Sequence, residues 1–318
     1  MKKKVIFLSL IIVISALFFI PCTQQKTVLI KSPFLNIYSL LVNPGKWEKW
    51  LPELRKAVQA DSAKISIKKD TSSFGLKYDK LEFEVTFRGT TFDVNDSFDG
   101  KTARYSYTII PIADRFQNKT NVIVVQQTNA INYLIGRIWE PSFSATHVAD
   151  LKNFMEIDSL HYGFKIIKSG VPESNLIVTG KEVLKTDKFT EAAGMLDGLR
   201  QYVKDHALKQ MYPVIAQFLP KGQDSVLVKV GLFIDKEVPS GNGIVFTRMP
   251  KGGPLFTAGY KGKFSKRAAA YDGLKQFFID HTYQTAILPF ETYLDNKLPV
   301  NDDDIINIQV NFSTYPSG

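Results

Sequence analysis

The chain is poor in the residues from which most enzyme chemistry is assembled. Cys22 is its one cysteine in 318 residues, which excludes an intrachain disulfide and any centre built on several thiolates. The four histidines, His147, His161, His206 and His281, are scattered, with no carboxylates at a metal-ligand or triad spacing. There is no G-x-G-x-x-G, Walker loop, H-E-x-x-H, C-x-x-C or G-x-S-x-G, so neither a cofactor nor a metal is expected. Asp302 to Asp304 lacks the glycine and distal glutamate of a calcium loop and reads as a solvated turn. Acidic residues are the minority, 31 against 40 basic, for a net charge of +9. The basic residues are dispersed instead of blocked together with aromatics, so nucleic acid is not an expected partner.

What is abundant is apolar and aromatic. Hydrophobic residues make up 44% and aromatics 12%, with 23 Phe and 13 Tyr, enough for two cores at this length. The start of the chain is different. Lys2, Lys3 and Lys4 lead into the apolar run Val5 to Ile20, the pattern of an export or anchoring signal. The exit Phe18-Phe19-Ile20-Pro21 lacks the small residues of a cleavage site. Lipidation at Cys22 is an alternative, although proline before the cut is a poor match. An uncleaved anchor is the preferred reading, with residues 1–25 as a signal anchor, residues 5–20 in the membrane and the body extracytoplasmic, on the periplasmic side. The apolar run is short of the ~20 residues of a usual span, and the stretch from Pro21 to Val28 is expected to make up the difference.

Residues 26–161 read as an α+β unit. A strand from Lys26 to Ser32 is followed by a helix through Phe34, Ile37, Tyr38 and Leu41, and by the stop Asn43-Pro44-Gly45. Trp47, Trp50 and Leu51 then share a helical face. Leu81, Phe83, Val85 and Phe87 alternate with Glu82, Glu84, Thr86 and Arg88 in a half-buried strand. Strands at Lys101 to Ile112 and Asn121 to Thr128 precede a closing helix from Ser144 to Leu160. The text IKSPFLNIYSLLVNPGKWEKWLPEL, Ile30 to Leu54, resembles the opening of SRPBCC (START-like, polyketide cyclase-type) domains. The resemblance implies a helix-grip fold with an apolar cavity between sheet and closing helix, lined by Trp50, Phe83, Tyr107 and Phe154. By periodicity alone those rings would be ordinary core in most folds.

Residues 162–318 repeat a ββαββ order. Strands from Tyr162 to Lys168 and Asn175 to Val183, a helix from Asp187 to Leu208, and strands from Met211 to Phe218 and Val226 to Ile234 form one copy. The second runs through strands Gly243 to Met249 and Leu255 to Tyr260, a helix capped by Ser265, and strands Pro289 to Leu294 and Ile305 to Phe312. Two such halves make a duplicated strand-helix-strand sheet with a groove between them. The segment Thr257 to Asn296, with Tyr260, Lys261-Gly262 and Pro289-Phe290-Glu291-Thr292-Tyr293, resembles the second half of GyrI-like effector-binding domains, which also stand behind AraC- and MerR-type regulators.

Glu291 and Tyr293 share one face of their strand, and a carboxylate among rings such as Tyr293, Tyr260 and Tyr212 suits a cationic or amphipathic ligand. The bland alternative puts Glu291 on an outer face beside Lys261 or Lys263. The expected function is thus a membrane-anchored small-molecule binding protein. The alternative, implied by hydrolases among GyrI-like proteins, is hydrolysis of a small electrophile with Glu291 as general base and Tyr293 or Tyr260 polarising the substrate.

Overall fold

The computed structural model describes residues 15, 17, 19–61, 65–98, 101–112, 119–131, 133, 143–170, 175–249 and 253–315. The anchor expected over residues 5–20 lies almost wholly outside them, and no helix among the described residues is long and apolar enough to cross a membrane. The chain is mixed α+β, dominated by two antiparallel sheets, and divides into two compact units, Met1–His161 and Tyr162–Gly318.

The first unit has strands β1 (Pro21–Ile30), β2 (Ser66–Lys69), β3 (Ser73–Tyr78), β4 (Leu81–Arg88), β5 (Thr91–Phe98), β6 (Lys101–Pro111) and β7 (Thr120–Asn129), in the sheet order β1-β7-β6-β5-β4-β3-β2. Helices α1 (Phe34–Leu41), α2 (Trp47–Trp50) and α3 (Pro52–Asp61) follow β1, and α4 (Phe143–Glu156) and α5 (Asp158–His161) follow β7. One expectation is corrected at the first strand. Pro21 to Val28 does not extend a membrane span: it pairs with β7 from Pro21↔Asn129 to Ile30↔Thr120, so its backbone is committed to the sheet. The closing helix is interrupted at Ile157, between α4 and α5. Lys152 fastens α4 to β1 through Nζ, which donates to Leu29 O at 2.6 Å, and Glu156 Oε1 accepts from Lys31 N at 2.8 Å.

Between α4 and the sheet lies a ring-rich core. In β4, Leu81, Phe83 and Val85 are buried and the intervening Glu82, Glu84 and Thr86 are exposed, the alternation of a sheet with one dry face. Trp47 and Trp50 are both buried with centroids 5.1 Å apart, and Trp47 Nε1 donates to Leu41 O at 3.0 Å. Asn43 accepts from Gly45 N at 3.1 Å and starts the 3₁₀ turn Pro44–Lys46 that presents both indoles.

The second unit holds β8 (Ile166–Gly170), β9 (Asn175–Leu184), α6 (Lys188–Asp205), β10 (Ile215–Lys221), β11 (Ser225–Ile234), β12 (Val245–Arg248), β13 (Pro254–Lys263), α7 (Ala268–Asp280), β14 (Thr285–Tyr293) and β15 (Ile305–Thr314). The sheet order β12-β9-β11-β10-β14-β15-β13-β8 is a palindrome of the two copies: exchanging β8 with β12, β9 with β13, β10 with β14 and β11 with β15 reverses it. Each copy therefore lends its first strand to the far edge of the other. The copies meet at β10 and β14, which pair only at Ile215↔Thr292 and Ala216↔Glu291.

Helices α6 and α7 cover one sheet face. Ala192, Leu196 and Leu199 of α6 and Ala270, Leu274, Phe277 and Phe278 of α7 share a core with Val228, Val230, Ile308 and Val310. A smaller cluster, Leu176, Ile215, Phe233 and Phe290, occupies the opposite face. Two local expectations change. Ser265 does not cap α7: it lies in the 3₁₀ turn Phe264–Lys266, and Arg267 holds the cap position. Asn311 alternates with Val310 and Phe312 in β15, a spacing that would turn it outward with Asn307 and Gln309, yet it is buried and its amide is fully used. Its Oδ1 accepts from Thr257 Oγ1 at 2.9 Å, and Nδ2 donates to Thr292 Oγ1 and Gln309 O at 3.0 Å each.

Trp47→Ala should cost about 3–5 kcal/mol in denaturant unfolding, since it deletes a buried indole together with its bond to Leu41. A change below 1 kcal/mol would mean that the indole is not packed as described.

Candidate functional site

Glu291 sits where the two copies of the second unit meet, and none of its surface reaches water. Oε1 accepts from Arg267 Nε at 2.7 Å and from Tyr271 Oη at 2.9 Å, while Oε2 accepts from Tyr293 Oη. Both phenols stay protonated donors. Burial raises the pKa of Tyr293 well above the ordinary phenol value and the adjacent charge of Glu291 adds to it, and Tyr271 is raised by the same causes in the same order. The guanidinium of Arg267 lies 3.5 Å from the ring centroid of Phe264 and 5.7 Å from that of Phe218, and Nη1 donates to Phe264 O at 3.1 Å.

A carboxylate among aromatic rings is therefore present, and its cation comes from the chain itself. Arg267 stands at the positive end of α7, an unfavourable place for a cation by itself, and the contacts to Glu291 and Phe264 offset that. The exposed placement beside Lys261 or Lys263 is overturned by the burial of Glu291; Lys263 pairs instead with Asp303 at 2.8 Å, in the solvated turn Asp302 to Asp304, where Lys188 also meets Asp302 at 2.8 Å.

Two tyrosines expected at the site are engaged elsewhere. Tyr260 Oη donates to Lys263 O at 2.7 Å. Tyr212 is 44% exposed, and its ring packs edge-on against Phe233, which belongs to the cluster on the other sheet face. Arg267 and Tyr271 take their places. They are one helical turn apart on α7 and so reach the same carboxylate, a spacing that sequence alone offers as a helix face without naming its partner.

In the first unit Trp50, Phe83, Tyr107 and Phe154 are all buried in one core, where Phe83 packs on Trp47 at 5.8 Å and Phe154 stacks on His161 at 5.0 Å. That core also contains a polar group missed in the sequence. Tyr105 Oη lies 3.1 Å from His147 Nδ1, and His147 Nε2 lies 3.9 Å from Glu53 Oε2. Asp96 is buried beside Tyr105, with no protein hydrogen-bond partner for Oδ2. His147 thus does have a carboxylate near it, Glu53 of α3, which is distant in sequence. Burial pushes Asp96 up to about 6, partly offset by its bond to Tyr105, and pushes His147 down to about 4. Among the described residues no group of three or more His, Cys, Asp or Glu is placed to hold a metal ion.

No protein-family model matches the chain, and no curated protein matches it. Among solved structures it is similar to the EcmrR C-terminal domain, at 17% identity over 48% of this chain and 96% of that one, with a TM-score of 0.38. It is also similar to a START superfamily protein from Mycobacterium smegmatis, at 14% identity over 42% and 97%, with a TM-score of 0.29. A hydrolase from Listeria innocua matches at 13% identity over 46% and 90%, with a TM-score of 0.34. These likenesses are too distant to bring a ligand or an activity to this chain.

Two outcomes follow from the charges. Arg267→Ala leaves Glu291 buried without its cation and should cost about 3–5 kcal/mol, whereas Arg267→Ala with Glu291→Gln should cost less than the two changes summed. Denaturant unfolding of the four proteins checks it, and strict additivity would refute the coupling. The second outcome concerns pH. Asp96, raised from 3.8 to about 6, opposes folding fully above pH 6, and that cost fades as pH falls towards 4. His147, lowered from 6.5 to about 4, costs nothing above pH 6.5, and its cost grows over the same fall. The two slopes oppose one another. Asp96→Asn should therefore gain about 1–2 kcal/mol at pH 8 and lose stability between pH 6.5 and 4 more steeply than the unaltered chain, read by circular dichroism melts.

Proposed function

We propose that the chain is a small-molecule-binding protein, with an SRPBCC-like first unit and a GyrI-like second unit, held at a membrane through residues 5–20. Its second unit receives an amphipathic or cationic aromatic ligand at Glu291. The observation that carries this reading is the buried carboxylate enclosed by Tyr271, Tyr293 and Phe264-stacked Arg267. A fold has little reason to bury this charge for stability alone, because well-packed apolar residues are often as stable as a buried ion pair. Arg267 then acts as a tethered occupant, and an incoming cation replaces its guanidinium on the carboxylate and on the Phe264 ring.

Binding suits these residues better than turnover. Both oxygens of Glu291 already accept hydrogen bonds: a cation that displaces Arg267 restores the charge pair, whereas a substrate using Glu291 as general base leaves that pair broken. In the first unit, the SRPBCC-like reading assigns an apolar ligand to Trp50, Phe83, Tyr107 and Phe154, which pack together in one core.

Removing the tethered cation gives the test. Benzamidine, a planar aromatic cation, should raise the melting midpoint of Arg267→Ala by several degrees and that of the unaltered chain by less. The shift should vanish when Glu291→Gln is added. An equal shift with and without the Glu291 carboxylate would remove Glu291 from the site.

A further inference from the structure

One cavity lies on the sheet face opposite Glu291. It is a groove of about 710 Å³ running across β12, β9, β11, β10 and β14, within the size range of small-molecule sites. Its apolar wall comprises Leu176, Val178, Ile215, Met249, Ile287 and Phe290. Glu291 is not among its lining residues, since neighbouring positions on a strand face opposite ways.

The sequence opens this groove in two ways. Strand β14 shifts register against β15 between Thr285 and Phe290, and on its other side it pairs with β10 at two positions only. Gln217 Nε2 donates to Leu288 O at 3.1 Å and Pro289 O at 2.9 Å. The floor is a glycine. A Cβ on Gly231 would stand 3.0 Å from Ile215 Cγ1 and 3.1 Å from Leu176 Cδ1, closer than side chains normally pack.

Charge gives the groove a sign. Its ionisable lining residues are Lys229 and Arg248, with no carboxylate in the wall. The stem of Lys229 lies across Gly180, where a Cβ would come within 2.8 Å of Lys229 Cγ. No ion pair to Lys229 is present among the described residues, and Arg248 meets Glu237 in an exposed pair of the kind that contributes little. At the rim, Leu288 and Val245 are each 56% exposed and offer further apolar contact.

We propose that this groove is a second binding site, separate from Glu291, and that it takes a single-chain amphipathic carboxylate. The apolar chain lies along Ile215, Ile287 and Phe290, and the carboxylate meets Lys229 and Arg248. The two faces of one sheet then select opposite charges: a cation where Glu291 is, an anion where Lys229 is.

Isothermal titration calorimetry of the full chain with decanoate, 1-decanol and decyltrimethylammonium tests this. Decanoate should bind at least tenfold more tightly than either of the others. Lys229→Gln should weaken decanoate about tenfold, and Leu288→Glu, an exposed change at the rim, should weaken it as well. Glu291→Gln should leave it unaltered, which keeps this site distinct from the one proposed above. Equal affinity for decyltrimethylammonium, or an unchanged affinity in Lys229→Gln, would overturn the proposal. So would binding to phosphatidylglycerol vesicles without binding to decanoate, which would make the occupant a lipid surface. Dimerisation abolished by Leu288→Glu would instead make the groove an interface between two copies.

Discussion

A carboxylate without access to water has to be answered by the protein around it, and in the second unit Glu291 organises its surroundings accordingly. It stands opposite Ala216 at the short contact between β10 and β14, where the two copies meet in the middle of the sheet. Tyr293 from its own strand and Arg267 and Tyr271 from the start of α7 turn their donors towards it. The same contact therefore joins the halves of the sheet, positions the first turn of α7, and separates a charged face from an apolar one. An unpaired charge there would cost several kcal/mol, comparable with the net stability of a domain.

The first unit solves a related problem differently. Its buried polar groups include Asp96, Tyr105, Tyr107 and His147. Burial acts on two of the titrating groups directly, raising the acid and lowering the base, so that Asp96 and His147 are both displaced towards neutrality. One unit neutralises its charge with a partner and the other by shifting protons. Helix α4 brings His147 to this group and is fastened to β1 at its other end by Lys152 and Glu156.

Much of the fold was legible because it is written in local periodicity. The alternation in β4, the helical spacing of Trp47 and Trp50, and the repeated ββαββ order each reflect a pattern contained within one short segment. Errors arose where a local cue competed with a distant partner. Pro21 to Val28 directly follows the apolar run and is expected to prolong it, yet β7 claims its backbone. Asn311 alternates as an outward residue, yet Thr257 and Thr292 satisfy it inside. Ser265 is a good cap residue, but Asp302 O and Asp304 O accept from Ser265 N and Phe264 N and hold that stretch in a 3₁₀ turn.

The sequence by itself determined that the chain has two α+β units, that the second is a duplication, and that Glu291 and Tyr293 share a strand face, because strand and helix periods depend on neighbours only. It could not say which cation meets Glu291, that Tyr212 and Tyr260 turn elsewhere, or that Glu53 approaches His147. Most such partners are distant in sequence: Arg267 and Glu291 are 24 positions apart, and Tyr105 and His147 are 42 apart. Only the packed sheets decide them, since a side chain's partner depends on which strands the fold has placed side by side.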